Sequence, residues 1–318
     1  LIYTLLYSTH ALSMDYLPTL NRHTAYTEQD WGDLEVWAQF DFLALPDKSI
    51  EHHTNYLGGF NVGLYKGISF HYHFLHSDQL ILQSQEPLKI PVKHNGHDIR
   101  LAYLWQFKPS WALNLEMGTR FHKLIPLNTK KYQAGEILIR SSDNSDVLTV
   151  NASDISFVFG SNLIKSFSDD FQLSLGLEGR LTEINANFSS PILNDPTIAH
   201  IFKHDIPQNT PWKEQNLIIK ASMEWHIWKP ISMAIDFKHY QVWRANYENN
   251  TDKLDYSNGQ RLDIYLFANL YKGLTLYTHS QFMTNYFLVD EPLLYNKATN
   301  HLFNRYYGFF SAGISYNF

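Results

Sequence analysis

The fold of this chain is decided by residues 217–238, LIIKASMEWHIWKPISMAIDFK, in which apolar and polar side chains alternate. Every second position from Leu217 to Trp225 is apolar, and Lys220 and Glu224 stand between them. The alternation resumes at Ile231 after a short break. A period of two is typical of a β-strand with two unlike faces. The stretch therefore predicts two antiparallel strands joined by a tight turn.

The same alternation recurs along the chain, at 34–42, 99–107, 111–117, 171–180 and 262–269. Short links and long links between strands alternate along the chain. The short ones are 65–67, 108–110, 165–170, 228–230 and 271–273, and the long polar ones are roughly 46–56, 81–97, 123–151, 184–214, 244–259 and 287–304. Short turns at one end and long loops at the other are typical of outer-membrane barrels. We predict an all-β fold, a transmembrane antiparallel up-and-down β-barrel of about 12 strands over 33–318, with both termini on the periplasmic side.

The composition excludes several other classes of protein. After the N-terminus no run of about 18 uncharged apolar residues occurs, so a bundle of membrane helices is excluded. The 25 basic residues against 31 acidic ones give a net charge of −6 and no basic footprint for nucleic acid. Because the 318 residues include no cysteine, a disulfide framework, a thiolate metal site and a catalytic thiol are excluded as well.

The N-terminal segment has features of a processed leader. Residues 1–6, LIYTLL, are apolar and run into Ala11 and Ser13, which are spaced like a signal-peptidase site. We interpret 1–13 as a signal-peptide remnant and 14–32 as a periplasmic segment; the alternative is a short apolar strand or anchor. An exported chain without cysteine suits a Gram-negative envelope, so we expect it in the bacterial outer membrane.

Aromatic residues cluster beside the predicted short turns, as at Trp105, Trp111 and Trp228. Such girdles mark the membrane interfaces of barrels. The last nine residues, FSAGISYNF, alternate and end in Phe318. This resembles the C-terminal signal by which bacterial barrels are recognised for insertion. The expected partners are the barrel-assembly machinery, outer-membrane lipid and lipopolysaccharide, with no nucleic acid, and we expect a monomer.

Three segments carry a resemblance to a family of exported bacterial proteins known as a domain of unknown function. They are VWAQFD at 36–41, YHFLHSDQL at 72–80 and the closing stretch 306–318. In that family an AQFD-like first strand and a YHxxSHxGDE-like segment are expected. Here the second segment is one residue shorter and has Gln79 where an acid would stand, so a shared role of that position does not carry over. The resemblance could cover most of the chain from about Asp33 and implies no activity.

The polar face of the predicted strands carries acids and bases in nearly equal number. The residues predicted to line the lumen are Glu35, Asp41, Arg100, Glu116, Arg120, Glu178, Arg180, Lys220, Glu224, Asp236, Lys238, Arg261 and Asp263. They could line a water-filled path for a small polar solute. They could equally form a lattice of ion pairs that closes the lumen. Because acids and bases are nearly balanced, a pore selective for one sign of charge is the least favoured possibility.

Histidine offers the one concentrated candidate for other chemistry. His71 and His73 share a strand face, and His76 and Asp78 follow near the predicted extracellular end. A His-x-His pair on a strand can bind a metal. The alternative is that these histidines are polar residues of the barrel wall near the membrane interface. We favour the alternative, and we predict no metal and no cofactor. Nucleotide-binding and zinc-protease motifs are absent from the sequence.

A lipid hydrolase of the phospholipase or lipid A deacylase type is the main alternative to a channel. It would need a serine activated by a histidine. His279 and Ser280 are adjacent and therefore face opposite sides, and His239 is predicted two strands away from Ser280, roughly 10 Å. We therefore predict no catalytic residues. The expected function is a narrow channel for small polar solutes or a barrel of unknown role, and a further alternative is a structural or surface-binding barrel that acts through its long loops.

Overall fold

A computed structural model of the chain describes residues 34–45, 50–65, 67–84, 87–129, 131–134, 137–140, 146–189, 212–228, 230–245, 258–271, 273–285, 292–294 and 306–318. The strands within these ranges are β1 (Leu34–Leu45), β2 (Ile50–Tyr65), β3 (Ile68–Ser84), β4 (Pro87–Lys108), β5 (Trp111–Leu124), β6 (Leu127–Thr129), β7 (Lys131–Ala134), β8 (Ile137–Arg140), β9 (Leu148–Ser168), β10 (Phe171–Ser189), β11 (Trp212–Trp228), β12 (Ile231–Ala245), β13 (Asn258–Tyr271), β14 (Leu274–Thr284) and β15 (Tyr306–Asn317). A 3-10 helix covers Pro292–Leu294.

Of the described strands, 12 form one closed antiparallel barrel. Each pairs with its two neighbours in chain order, from β1 to β5, then β9 to β15. β1 and β15 close the ring, with Ala38 opposite Ile314 and Glu35 opposite Asn317. Both edges of every barrel strand are thereby paired, which removes the exposed edges of an open sheet. This confirms the fold predicted from the alternation.

The short turns lie together at one end of the barrel. The carbonyl oxygens of Gly67 and Gly273 accept hydrogen bonds from the neighbouring hairpin or strand at 2.8 and 3.0 Å. Both glycines have φ in the left-handed region, at 81° and 83°, which favours glycine. The amide of Phe318 donates to Leu34 O at 2.9 Å, so the two ends of the described barrel meet at this turn end.

The strands extend further from the turn end than predicted. In the polar stretch 81–97, predicted as a loop, residues 81–84 and 87–97 belong to β3 and β4, which pair up to Ser84 and Pro87. Backbone groups pair with each other whatever the polarity of the side chains, so polar residues continue the sheet. The predicted signal remnant 1–13 and periplasmic segment 14–32 lie outside the described residues.

The two faces of the wall differ as the alternation predicts. Leu175, Leu177 and Ile219 are exposed on the outside, whereas Lys220 is buried inside. Around the turn end, Trp228 and other aromatic side chains are exposed on the outer wall. This outer surface has the apolar band and aromatic girdle of a lipid-facing barrel. Among the described residues, no helix is long and apolar enough to cross a membrane.

Candidate functional site

The side chains predicted to face the lumen lie inside the barrel. All are buried except Arg120, which is half-buried. The buried ones are Glu35, Asp41, Arg100, Glu116, Glu178, Arg180, Lys220, Glu224, Asp236, Lys238, Arg261 and Asp263. Their role as the lining of a pore stays a prediction.

Six charged side chains form one connected group across part of the lumen, which we call the ionic layer. Its members are Asp98, Arg100, Glu116, Glu178, Arg180 and Lys220. Lys220 Nζ donates to Glu116 Oε1 at 2.6 Å and to Glu178 Oε2 at 3.2 Å. Arg100 Nη1 donates to the same two acids at 3.3 Å each. These four side chains come from β4, β5, β10 and β11 and are 0–3% exposed, so the contacts are made out of reach of water.

The ionic layer is balanced in charge and closely packed. Arg180 Nε donates to Glu178 Oε1 at 2.6 Å. Arg100 donates two hydrogen bonds of 2.8 Å to Asp98, one from Nε and one from Nη2. Gly160 makes room for Glu116, since a Cβ there would lie 2.5 Å from Glu116 Oε1. Three cations thus meet three acids, and the removal of one partner alone would leave a buried charge uncompensated.

A cavity of about 110 Å³ adjoins the ionic layer inside the barrel. We call it the lumen cavity. Its lining comes from β1–β5, β10 and β12–β15, with Asp41, Asn55, Arg120, Arg261 and Ser311 among the contributing side chains. Because the lining runs around most of the ring of strands, the cavity is part of the lumen and is not a groove on the wall. Its lining mixes charged and polar side chains with apolar ones, and its size suits several water molecules.

Two histidines of the lumen cavity are each held by an aspartate. His122 Nδ1 donates to Asp154 Oδ1 at 2.9 Å, and its Nε2 accepts from Arg120 Nε at 3.1 Å. His279 Nε2 donates to Asp263 Oδ1 at 2.8 Å, and its other nitrogen accepts a side-chain amide hydrogen at 3.1 Å. A general base needs a ring nitrogen aimed at the substrate. With both nitrogens engaged, these histidines instead shape the cavity wall.

The predicted cluster of His71, His73, His76 and Asp78 is not brought together. His71 and His73 are buried inside the barrel. His76 and Asp78 occupy the alternate positions of β3 and lie on the outer wall, where Asp78 pairs with Lys93 at 2.6 Å. This corrects the prediction of a single cluster, because a period of two separates odd from even positions. Within the part of the chain that the structure describes, no group of three or more His, Asp or Glu side chains is arranged to hold a metal ion.

A chain of four hydrogen-bonded residues near the turn end, which we call the serine relay, was missing from the sequence prediction. Ser69 Oγ lies 2.7 Å from His71 Nε2, and His71 Nδ1 lies 2.7 Å from Asn61 Oδ1. Asn61 Nδ2 donates to Glu35 Oε2 at 2.8 Å. Since the amide hydrogens of Asn61 are turned towards Glu35, its oxygen accepts and His71 Nδ1 carries the proton. His71 Nε2 is then the acceptor for the Ser69 hydroxyl.

One half of the serine relay has a signal in the sequence. Ser69 and His71 are two positions apart on β3, which places them on one face. The other half has none, because Asn61 belongs to β2 and Glu35 to β1. Asn61 stands opposite both Glu35 and His71 only through the register of these three strands.

No protein-family model matches the chain, and no curated protein is significantly similar to it in sequence. Solved structures that resemble it are outer-membrane β-barrels. The translocator domain of the autotransporter NalP from Neisseria meningitidis has a TM-score of 0.51 and 8% identity, covering 90% of this chain and 88% of that one. The NanC porin has a TM-score of 0.48 and 11% identity, covering 89% and 98%. At such identities the likeness shows the fold alone.

Proposed function

We propose that this chain is a bacterial outer-membrane barrel that passes small polar solutes through its lumen. The observation that carries the proposal is the lumen cavity, a space of about 110 Å³ with charged and polar side chains in its lining, ringed by strands from most of the barrel. A water-filled space with polar walls is what a hydrated solute requires. The ionic layer beside it narrows the path, so the channel is one of low conductance for small solutes.

The outer wall supports the proposed location. Its exposed apolar side chains and the aromatic residues around the turn end match a lipid-facing band with one of its girdles. In this location the short turns face the periplasm, and the strand ending in Phe318 is the segment offered to the assembly machinery. Outer-membrane lipid and lipopolysaccharide surround the wall. We propose a monomer, because a closed ring of strands has no unpaired strand edge that a second copy would have to cover.

Conductance of the purified barrel in planar bilayers tests the proposal. We expect small, discrete steps from the native chain. The double variant Glu116→Ala and Lys220→Ala should give larger steps, because it removes one acid and one base from the ionic layer and keeps its charge balanced. Heat-modified gel mobility checks that both proteins are folded.

The matched control is Glu183→Ala with Lys213→Ala. These two residues face each other on the same strands, β10 and β11, but are exposed on the outer wall. This pair should leave the step size unchanged. A folded native barrel that never conducts, together with a silent Glu116/Lys220 double variant, would reject the channel.

The serine relay supports hydrolysis of an ester as a second candidate function. In that reaction Ser69 Oγ would attack the ester carbonyl while His71 Nε2 takes its proton and returns it to the leaving alcohol. Water would then release the acid from the serine. Because Ser69 and His71 are buried inside the barrel, the ester belongs to a solute in the lumen and not to a lipid on the outer wall.

A fluorophosphonate probe, which labels activated serines, tests this candidate on the folded barrel. We expect labelling of the native chain and its loss in Ser69→Ala. Ser77→Ala is the control, because Ser77 is also buried on β3 and lies 3.0 Å from His53 Nε2 but lacks the Asn61–Glu35 extension. Equal labelling of the two variants would reject Ser69 as a nucleophile.

A further inference from the structure

The wall of the lumen cavity carries more cations than acids, although the lumen as a whole is nearly balanced. Arginine residues line it from four strands, and they are Arg100, Arg120, Arg180 and Arg261. Among the described lining residues, the carboxylates are those of Asp41 and Asp98. Asp98 is already held by both bonds from Arg100. Four arginines against two aspartates give the lining an excess of positive charge.

The acids that pair with two of these arginines lie outside the cavity lining. Arg180 bonds Glu178 and Arg261 bonds Asp263, each through Nε and each two residues along the same strand. In both pairs the acid is the member nearer the turn end, since β10 runs away from that end and β13 runs towards it. The carboxylates of Glu178 and Asp263 are 2% and 0% exposed. The basic member of each pair therefore faces the cavity, and the acid is enclosed below it.

Neighbouring side chains orient two of the guanidinium groups. Arg180 lies over the ring of Tyr240, with its central carbon 5.7 Å from the ring centre. Arg120 is held by its bond to His122, which also lines the cavity. A guanidinium stays positively charged and presents five N–H donors. Its planar fork matches carboxylate and phosphate groups.

We infer that the lumen cavity binds a small organic anion carrying a carboxylate or a phosphate, and that the barrel passes such anions in preference to neutral solutes of the same size. Arg120, Arg180 and Arg261 approach one space from β5, β10 and β13 and supply the positive field. The passage part of this inference rests on the proposed function. The binding part does not, because a closed barrel with the same cavity would bind the same anion.

A matched set of hexoses tests the inference. Glucose is neutral, glucuronate carries a carboxylate, glucose 6-phosphate carries a phosphate and glucosamine is a cation. Binding of each to the folded barrel in neutral detergent is measured by titration calorimetry, and entry of each into vesicles is measured by solute flux. We expect glucuronate or glucose 6-phosphate to bind and to enter faster than glucose, and glucosamine to be slowest. The stronger of the two anions identifies whether the carboxylate or the phosphate is preferred.

Arg120→Gln is the informative variant, because Arg120 is half-buried and lines the cavity from β5. Losing one charge-assisted hydrogen bond should weaken binding of the preferred anion about tenfold. Lys123→Gln removes a positive charge from the same strand on the outer wall and should leave binding unchanged. Gel mobility confirms that both variants are folded.

The outcomes separate the inference from the proposed function. Binding of an anion without any flux would uphold the cavity as an anion site and reject the channel. Flux of all four hexoses at one rate, without anion binding, would uphold the channel and overturn the inference. An equal loss of binding in Arg120→Gln and Lys123→Gln would also overturn it, because the effect would then follow net charge and not the cavity.

Discussion

Replacing Lys220 by methionine is expected to lower the free energy of unfolding by about 3–5 kcal/mol. The ammonium group of Lys220 is 1% exposed and bonds both Glu116 and Glu178, so its removal leaves buried carboxylates short of a partner. Urea unfolding in lipid vesicles, followed by tryptophan fluorescence, measures the change. The double variant Lys220→Met with Glu116→Gln should recover most of the loss, because one acid and one base then leave together.

Lys213→Met is the control for this prediction. Lys213 is on the same strand but exposed on the outer wall, so its replacement should change the free energy of unfolding by no more than about 0.5 kcal/mol. A loss below about 1 kcal/mol for Lys220→Met would mean that water reaches Glu116 and Glu178 and replaces the lost partner. The ionic layer would then be an open, hydrated path.

Replacing Leu175 by arginine is expected to lower the free energy of unfolding by about 2–4 kcal/mol in a bilayer. Leu175 is 67% exposed and lies near the middle of the apolar run from Phe171 to Leu181 on the outer face of β10. In a membrane, a guanidinium at that depth must leave water for hydrocarbon. The same vesicle assay measures the effect.

Asn185→Arg is the matched control, since Asn185 lies on the same strand and the same face but beyond the apolar run. It should cost no more than about 1 kcal/mol, as expected near an interface. Arginine tolerated equally at Leu175 and at Asn185 would show that no bilayer covers the middle of β10 and would contradict the membrane location.

The alternation of side chains, taken with the succession of short and long links, predicted the barrel, and the alternation predicted the inward and outward faces of its strands. Lys220 is buried and Ile219 is exposed because adjacent residues of a strand point to opposite sides. The same rule separates His279 from Ser280 across the wall. It also explains the error at His76, which was grouped with His71 and His73 although it stands at an alternate position. Strand length was underestimated, because residues 81–84 and 87–97 remain in the sheet through backbone pairing that polarity does not reveal.

The side-chain partners depend on strand register and on the curvature of the wall, and neither has a local signal. Lys220 meets Glu116 although 104 positions separate them, because closing the ring brings β5 and β11 to the same part of the lumen. The near balance of inward charge was visible in the sequence, yet its distribution was not. Glu178 and Asp263 are enclosed while Arg180 and Arg261 face the cavity, and so a balanced set of residues presents a positive wall. Composition and period thus determine which residues point inward, and only the packing of the closed barrel determines which of them meet each other and which line the cavity.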